Sequence, residues 1–323
     1  MTANDLQQSP GGEAANSPLV VKERAKAPRA AQPRARRIYT RRMLPVSPAR
    51  AVVIATTATI AVLGLWFVLY ALVLSGLREN HAQHLMGSQL RQGLAEQTVP
   101  YGGVIKPGTP IGRIIAPQIG LDAVVVEGTS SEQLASGPGH LPSTPMPGQA
   151  GNAQIFGRSA MYGAPFGLVH ALKPGAMITL VTGDGVFRFQ VIDVRWPGYQ
   201  IPSAAQLGQS SLTLVTSAAS GWRAGWAPNY VIYADATLVG GKVQPATRQP
   251  TAVPAADAPL AGDTGQLVLL PYLVLGLLAL CAGLGWASAR WTMWQLWAVG
   301  VPSVVAMLWL TTNSVLLLLP NLT

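Results

Sequence analysis

The sequence predicts an all-β domain of short strands with a few short helices, attached to three transmembrane α-helices. Three observations predict it. Mean hydropathy is positive at +0.31 although 11% of residues are charged, where a soluble protein has about a quarter. Three charge-free apolar runs, 51–77, 266–289 and 291–319, are each long enough to cross a hydrocarbon core of about 30 Å. Between the first two lie short β-branched runs separated by proline and glycine, the spacing of a β-barrel or sandwich.

Residues 1–50 are rich in Ala, Pro, Arg and Gln and hold almost no periodic apolar content, so they are read as a disordered tail. Ten lysines and arginines fall between Lys22 and Arg50 and supply most of the net charge of +9. A basic tail suits nucleic acid or anionic lipid, but beside a membrane span it is read as a topological signal retained in the cytoplasm. No nucleic-acid partner is expected. The run 51–77 exceeds the apolar core of a signal peptide, about 7–15 residues, and is read as an uncleaved anchor.

Residues 78–100 are polar but keep Leu85, Leu90 and Leu94, which suits a juxtamembrane helix ended by Pro100, Gly102 and Gly103. Strands are expected at Ile111–Ile115, Ala123–Val126, Met177–Val181, Val186–Val191, Leu212–Thr216 and Tyr230–Ala234. Thr129 and Glu132 fit a capping box for a short helix through Leu134, and Ala164 to Leu172 suits another. The Pro- and Ala-rich segment 241–265 is expected to be a flexible linker. Both later apolar runs are read as spans, because neither has a polar face. With the basic tail inside, residues 101–240 lie outside, Arg290 returns to the cytoplasm and Thr323 lies outside. Bounded by linkers, the barrel is expected to fold without the spans.

Gly137-Pro138-Gly139-His140, Pro147-Gly148, Gly151-Asn152 and Ile155-Phe156-Gly157-Arg158 stand in one order, followed by Thr213-Leu214-Val215-Thr216-Ser217 and by Asn229 before Tyr230-Val231-Ile232. This series resembles the sortase family, the cysteine transpeptidases that join secreted proteins to the bacterial cell wall. The resemblance covers about residues 101–240 and looks most like class E, of high-GC Gram-positive bacteria. It implies a closed, roughly eight-stranded sortase-like β-barrel. It also implies a catalytic histidine at Arg158, a nucleophilic cysteine at Ser217 and an oxyanion-stabilising arginine at Asn229, so all three positions are changed.

Serine needs an adjacent base to become a nucleophile. A guanidinium at 158 cannot be that base. His140 in the GPGH turn and Arg223, six positions after Ser217, are the possible substitutes, as base and as cation. The only cysteine, Cys281, lies in an apolar run, and no metal-ligand spacing occurs, so neither metal nor cofactor is expected. The reading is a pseudo-sortase, a membrane-anchored binding or assembly module of the cell envelope. Its expected partners are the membrane, a sorting-signal-like peptide, or another envelope or membrane protein. The alternative is a divergent sortase-type transpeptidase or serine hydrolase using Ser217.

Overall fold

A computed structural model describes residues 48–196, 208–218, 231–247 and 252–322. Eight strands close into a barrel in the order β1-β2-β3-β4-β7-β8-β6-β5. They are β1 Pro110–Ala116, β2 Leu121–Glu127, β3 Gly139–His140, β4 Gly151–Phe156, β5 Met177–Thr182, β6 Gly185–Arg195, β7 Ser210–Ser217 and β8 Val231–Gly240. The β2–β3 and β4–β7 pairs are parallel and the rest antiparallel.

Side-chain alternation divides the barrel into an inside and an outside. Along β6, Phe187, Phe189 and Val191 point inward while Arg188 and Gln190 face solvent. Ile114, Val125, Ile155, Ile178, Leu212, Leu214 and Ala234 join them in one central core. The neighbours of these residues form separate outer clusters. Val124 and Val126 of β2 pack under one helix, and Phe156 of β4 and Val215 of β7 pack under residues that follow another. A strand covered on both faces reads as an almost unbroken apolar run, which is how Ala123 to Val126 of β2 reads.

The first long apolar helix is α1 Pro48–Leu69, continued through a π-helical turn at Tyr70–Leu74 into α2 Ser75–Ala95. The leucine-bearing stretch after the first apolar run is therefore helical, and Met86 and Leu90 lie on Val124 and Val126. Gln83 fixes this helix to the sheet. Its Nε2 donates to the carbonyls of Val124 (3.1 Å) and Ser136 (2.9 Å), and its Oε1 accepts from the Val124 N–H at 2.7 Å. Because β3 pairs with β2 only at Val126 and Glu127, the side chain supplies what a longer strand would have given.

The short helix α3 Ser131–Leu134 forms where expected, but Thr129 does not cap it. Asp257 takes both its groups: the Thr129 N–H donates to Asp257 Oδ1 (3.0 Å), and Thr129 Oγ1 donates to the Asp257 carbonyl (2.8 Å). The stretch expected to be helical from Ala164 to Leu172 narrows to a 3-10 turn at Val169–Ala171.

The segment after β8 is not a free tether in its described parts. Gln244 bridges to Gln149, and Asp257 and Leu260 hold the later part against the barrel. Proline and alanine set its lack of regular structure, and these fixed points set its path.

Two further helices, α4 Gln266–Ala287 and α5 Met293–Leu318, form a hairpin. Gly300 sits so close to Leu284 that an added Cβ would lie 3.2 Å from its Cδ2. At the turn, Arg290 lies 3.9 Å over the Trp286 ring, and Thr292 and Gln295 form a capping box. All three helices, Val52–Ala95, Gln266–Ala287 and Met293–Leu318, are long and apolar enough to cross a membrane. Their outward faces carry exposed Ile54, Ile60, Leu65, Val268, Leu275, Trp294 and Trp297, a surface apolar enough for a bilayer to cover.

One expectation about these spans needs correction. α5 does have a polar patch: Trp66 Nε1 donates to Thr312 Oγ1 (3.1 Å), and Arg78 Nη1 (2.6 Å) and the Tyr70 hydroxyl (3.4 Å) donate to Asn313 Oδ1. These groups bind the first helix to the last where the chain enters the barrel. The barrel is likewise not independent of its neighbours, because α2 and the residues after α5 supply its outer clusters.

Candidate binding site

The site forms at the ends of two parallel strands. β4 and β7 run side by side from Gly151↔Ser210 to Phe156↔Val215. The pairing continues one step further, with the Gly157 N–H donating to the Val215 carbonyl (3.0 Å) and Thr216 Oγ1 to the Gly157 carbonyl (2.9 Å). By alternation, residues 158 and 217 share the outer face with Phe156 and Val215. Positions far apart in sequence are thus brought to one end of one strand pair. Gly157 is required there, since a Cβ would lie 2.4 Å from Phe166 Cγ.

Arg158 is fully buried. Its Nη2 donates to the Ser131 carbonyl at 3.0 Å, and its guanidinium carbon lies 4.7 Å from the centre of the Tyr162 ring. A buried cation is tolerated when it is matched by such groups. Burial pulls its pKa down to about 10, with the Tyr162 phenol opposing the shift and the Arg78 cation adding to it. It still carries its proton at neutral pH.

Tyr162 adopts φ +50°, an uncommon conformation for a side chain of its size. Contacts with the helices hold it. Its N–H donates to Ser75 Oγ (3.0 Å), and its hydroxyl donates to Asn313 Oδ1 (3.0 Å). Burial raises the phenol's pKa, against the pull of Arg158 and Arg78. A continuous polar path therefore runs from Ser131 through Arg158 and Tyr162 to Asn313 on α5 and Arg78 on α2.

Ser217 is the last residue of β7, buried at 4% exposure and opposite Val231 of β8. His140 is also buried, and both its ring nitrogens face oxygen. Nδ1 lies 3.0 Å from Glu127 Oε2, and Nε2 lies 2.9 Å from the Pro145 carbonyl and 3.2 Å from Thr144 Oγ1. This arrangement ties the turn to β2 and leaves neither nitrogen directed at Ser217. Arg223 and Asn229 lie outside the described residues.

Sequence reasoning missed what covers this face. Leu322 has no exposed surface and packs among Leu134, Leu141, Phe156 and Val215. Its carbonyl accepts from the Ser159 N–H (3.0 Å) and from Ser159 Oγ (3.1 Å). Asn321, also fully buried, donates through Nδ2 to the carbonyls of Thr129 (2.8 Å) and Ala258 (3.0 Å). The only sequence signal was a break in pattern, polar and proline residues directly after an apolar run.

A model of the sortase domain matches residues 114–237. No curated protein matches the chain. Among solved structures, the chain is similar to a sortase D5 transpeptidase of Clostridium perfringens, at 22% identity over 50% of this chain and 98% of that one, with a TM-score of 0.40. It is also similar to sortase E of Streptomyces avermitilis, at 24% identity over 42% and 91%, with a TM-score of 0.34. A third is a Clostridium perfringens sortase C determined with the C-terminal cell wall sorting motif, at 17% identity over 50% and 89%, with a TM-score of 0.37. The match over residues 114–237 falls on the closed eight-stranded barrel, so this part of the chain is a sortase domain.

Proposed function

We propose that this chain is a multi-pass membrane protein whose extracytoplasmic sortase-fold barrel binds or assembles without performing transpeptidation. The observation that carries this reading is Arg158. It stands at the position the family resemblance assigns to the histidine, it is buried against the Ser131 carbonyl and the Tyr162 ring, and it keeps its proton at neutral pH. A serine hydroxyl attacks a carbonyl only when a neighbouring base takes its proton. Arg158 has no lone pair to offer, and the His140 nitrogens face Glu127 and Pro145. Asn229, where the resemblance assigns the oxyanion cation, brings no charge.

The ends of β4 and β7 support a binding role for an extended peptide of the sorting-signal kind, or for a segment of another envelope or membrane protein. A buried cation recognises backbone carbonyls and carboxylates without any covalent step. The orientation in this reading is cytoplasmic for residues 1–50 and for the turn at Arg290, from the charge asymmetry of the sequence.

The test is turnover of sorting-signal peptides by full-length protein in detergent. Wild type and Ser217→Cys are both expected to give no cleavage and no transpeptidation, since the thiol would still lack a proton donor and an oxyanion cation. Losing either contribution alone costs about 10²–10⁴ in rate. Turnover by the wild-type protein would contradict the reading and put the serine hydrolase in its place.

A further inference from the structure

We propose that residues 319–322 are a tethered occupant of the cleft beside Arg158 and Ser217, which holds that cleft closed in cis until the segment following α5 withdraws. α5 ends at Leu318, and Leu319 leaves it in an extended conformation at φ −68° and ψ 158°. Over the next three residues the chain is held in the manner of a bound peptide. Ser131 Oγ donates to the Leu319 carbonyl (3.4 Å), the Asn321 N–H donates to the Ala261 carbonyl (2.8 Å), and Ser159 donates twice to the Leu322 carbonyl. Side-chain recognition adds to this. The Asn321 amide spans Thr129 and Ala258, and the Leu322 side chain fills the apolar pocket made by α3, β4 and β7.

The occupied cleft and the polar site are one structure. Ser131 receives Arg158 on its carbonyl and offers its hydroxyl to Leu319, while Ser159, next to Arg158, holds Leu322. A tether of this length keeps the segment at an effective concentration in the millimolar range, so a free peptide competes poorly while it is seated. The same segment continues directly from α5, whose Asn313 is gripped by Arg78, Tyr70 and Tyr162. A partner that shifts α5 therefore draws the segment, which couples events among the membrane helices to access at the barrel.

The inference rests on the binding-module reading in treating the cleft as a peptide site, and its test reads closure directly without peptide turnover. A single reporter thiol is placed under the segment by Ser159→Cys in full-length protein carrying Cys281→Ala, and its modification by a water-soluble methanethiosulfonate is timed in detergent. The thiol is expected to react slowly when Leu322 is present. It is expected to react at least about tenfold faster in Leu322→Ala, in Leu322→Asp and after removal of residues 319–323. Melting curves followed by circular dichroism identify the folded variants, and Leu322→Ala, the mildest change, decides if the others fail to fold. Equal rates in folded proteins with and without the Leu322 side chain would overturn the closure. An acylated Ser217 would instead overturn the binding-module reading and leave the closure standing.

Discussion

Arg158 shows how one substitution changes the use of a site. A guanidinium at the end of β4 cannot shuttle protons, but it can be buried when a carbonyl and an aromatic face receive it, as Ser131 and Tyr162 do here. Arg158→Met keeps much of the volume but removes one of the two donors to the Ser131 carbonyl, which keeps the Ala135 N–H (3.1 Å), and is expected to cost about 0.5–1.5 kcal/mol in denaturant unfolding of the detergent-solubilised protein. The depressed pKa has a definite sign in linkage. Between about pH 10 and the ordinary arginine value, the unfolded chain binds more protons than the folded one, so Arg158 adds stability only as the pH rises through that window. At pH 6–9, roughly the working range, Arg158→Met is therefore expected to shift the whole stability curve without changing its slope, and a pH series of melting curves checks this. Gly157→Ala drives a methyl into the Phe166 ring and is expected to cost about 1–3 kcal/mol by the same measurement.

The elements around the barrel are joined by a few polar side chains. Gln83 of α2 completes the β2 backbone, so Gln83→Leu leaves a buried N–H and carbonyl open at Val124. A loss of about 1–3 kcal/mol is expected, with faster amide exchange confined at first to β2 and α2. Asn313 gathers Arg78, Tyr70 and Tyr162 at one oxygen, and Asn313→Leu is expected to loosen α5 from the barrel, read as increased exchange in Met161–Gly163 and in residues 319–322. How legible these elements were depended on how local their causes are. The strands and spans were legible because alternation and charge-free length are properties of neighbouring residues. Thr129 was misread as a cap because Asp257, which takes both its polar groups, stands 128 positions away. The 158 and 217 positions were legible only through their ordered motifs, and the Leu322 pocket was not, since nothing local to a leucine marks a pocket on another strand pair.

At the scale of the whole molecule, the barrel and the helices share clusters. Met86 and Leu90 of α2 cover one outer face and Leu322 another, so a fragment of residues 98–240 would expose both apolar patches. That fragment is expected to aggregate, whereas one extended to begin at Ser75 should be more soluble, and size-exclusion chromatography distinguishes the two. The decisive question is whether Ser217, one strand over from Arg158 and with the His140 nitrogens engaged elsewhere, behaves as a nucleophile. The most direct measurement is intact-mass analysis of the full-length protein after treatment with a serine-directed fluorophosphonate. No adduct at Ser217 is expected. Stoichiometric modification that disappears in Ser217→Ala would contradict the binding-module reading.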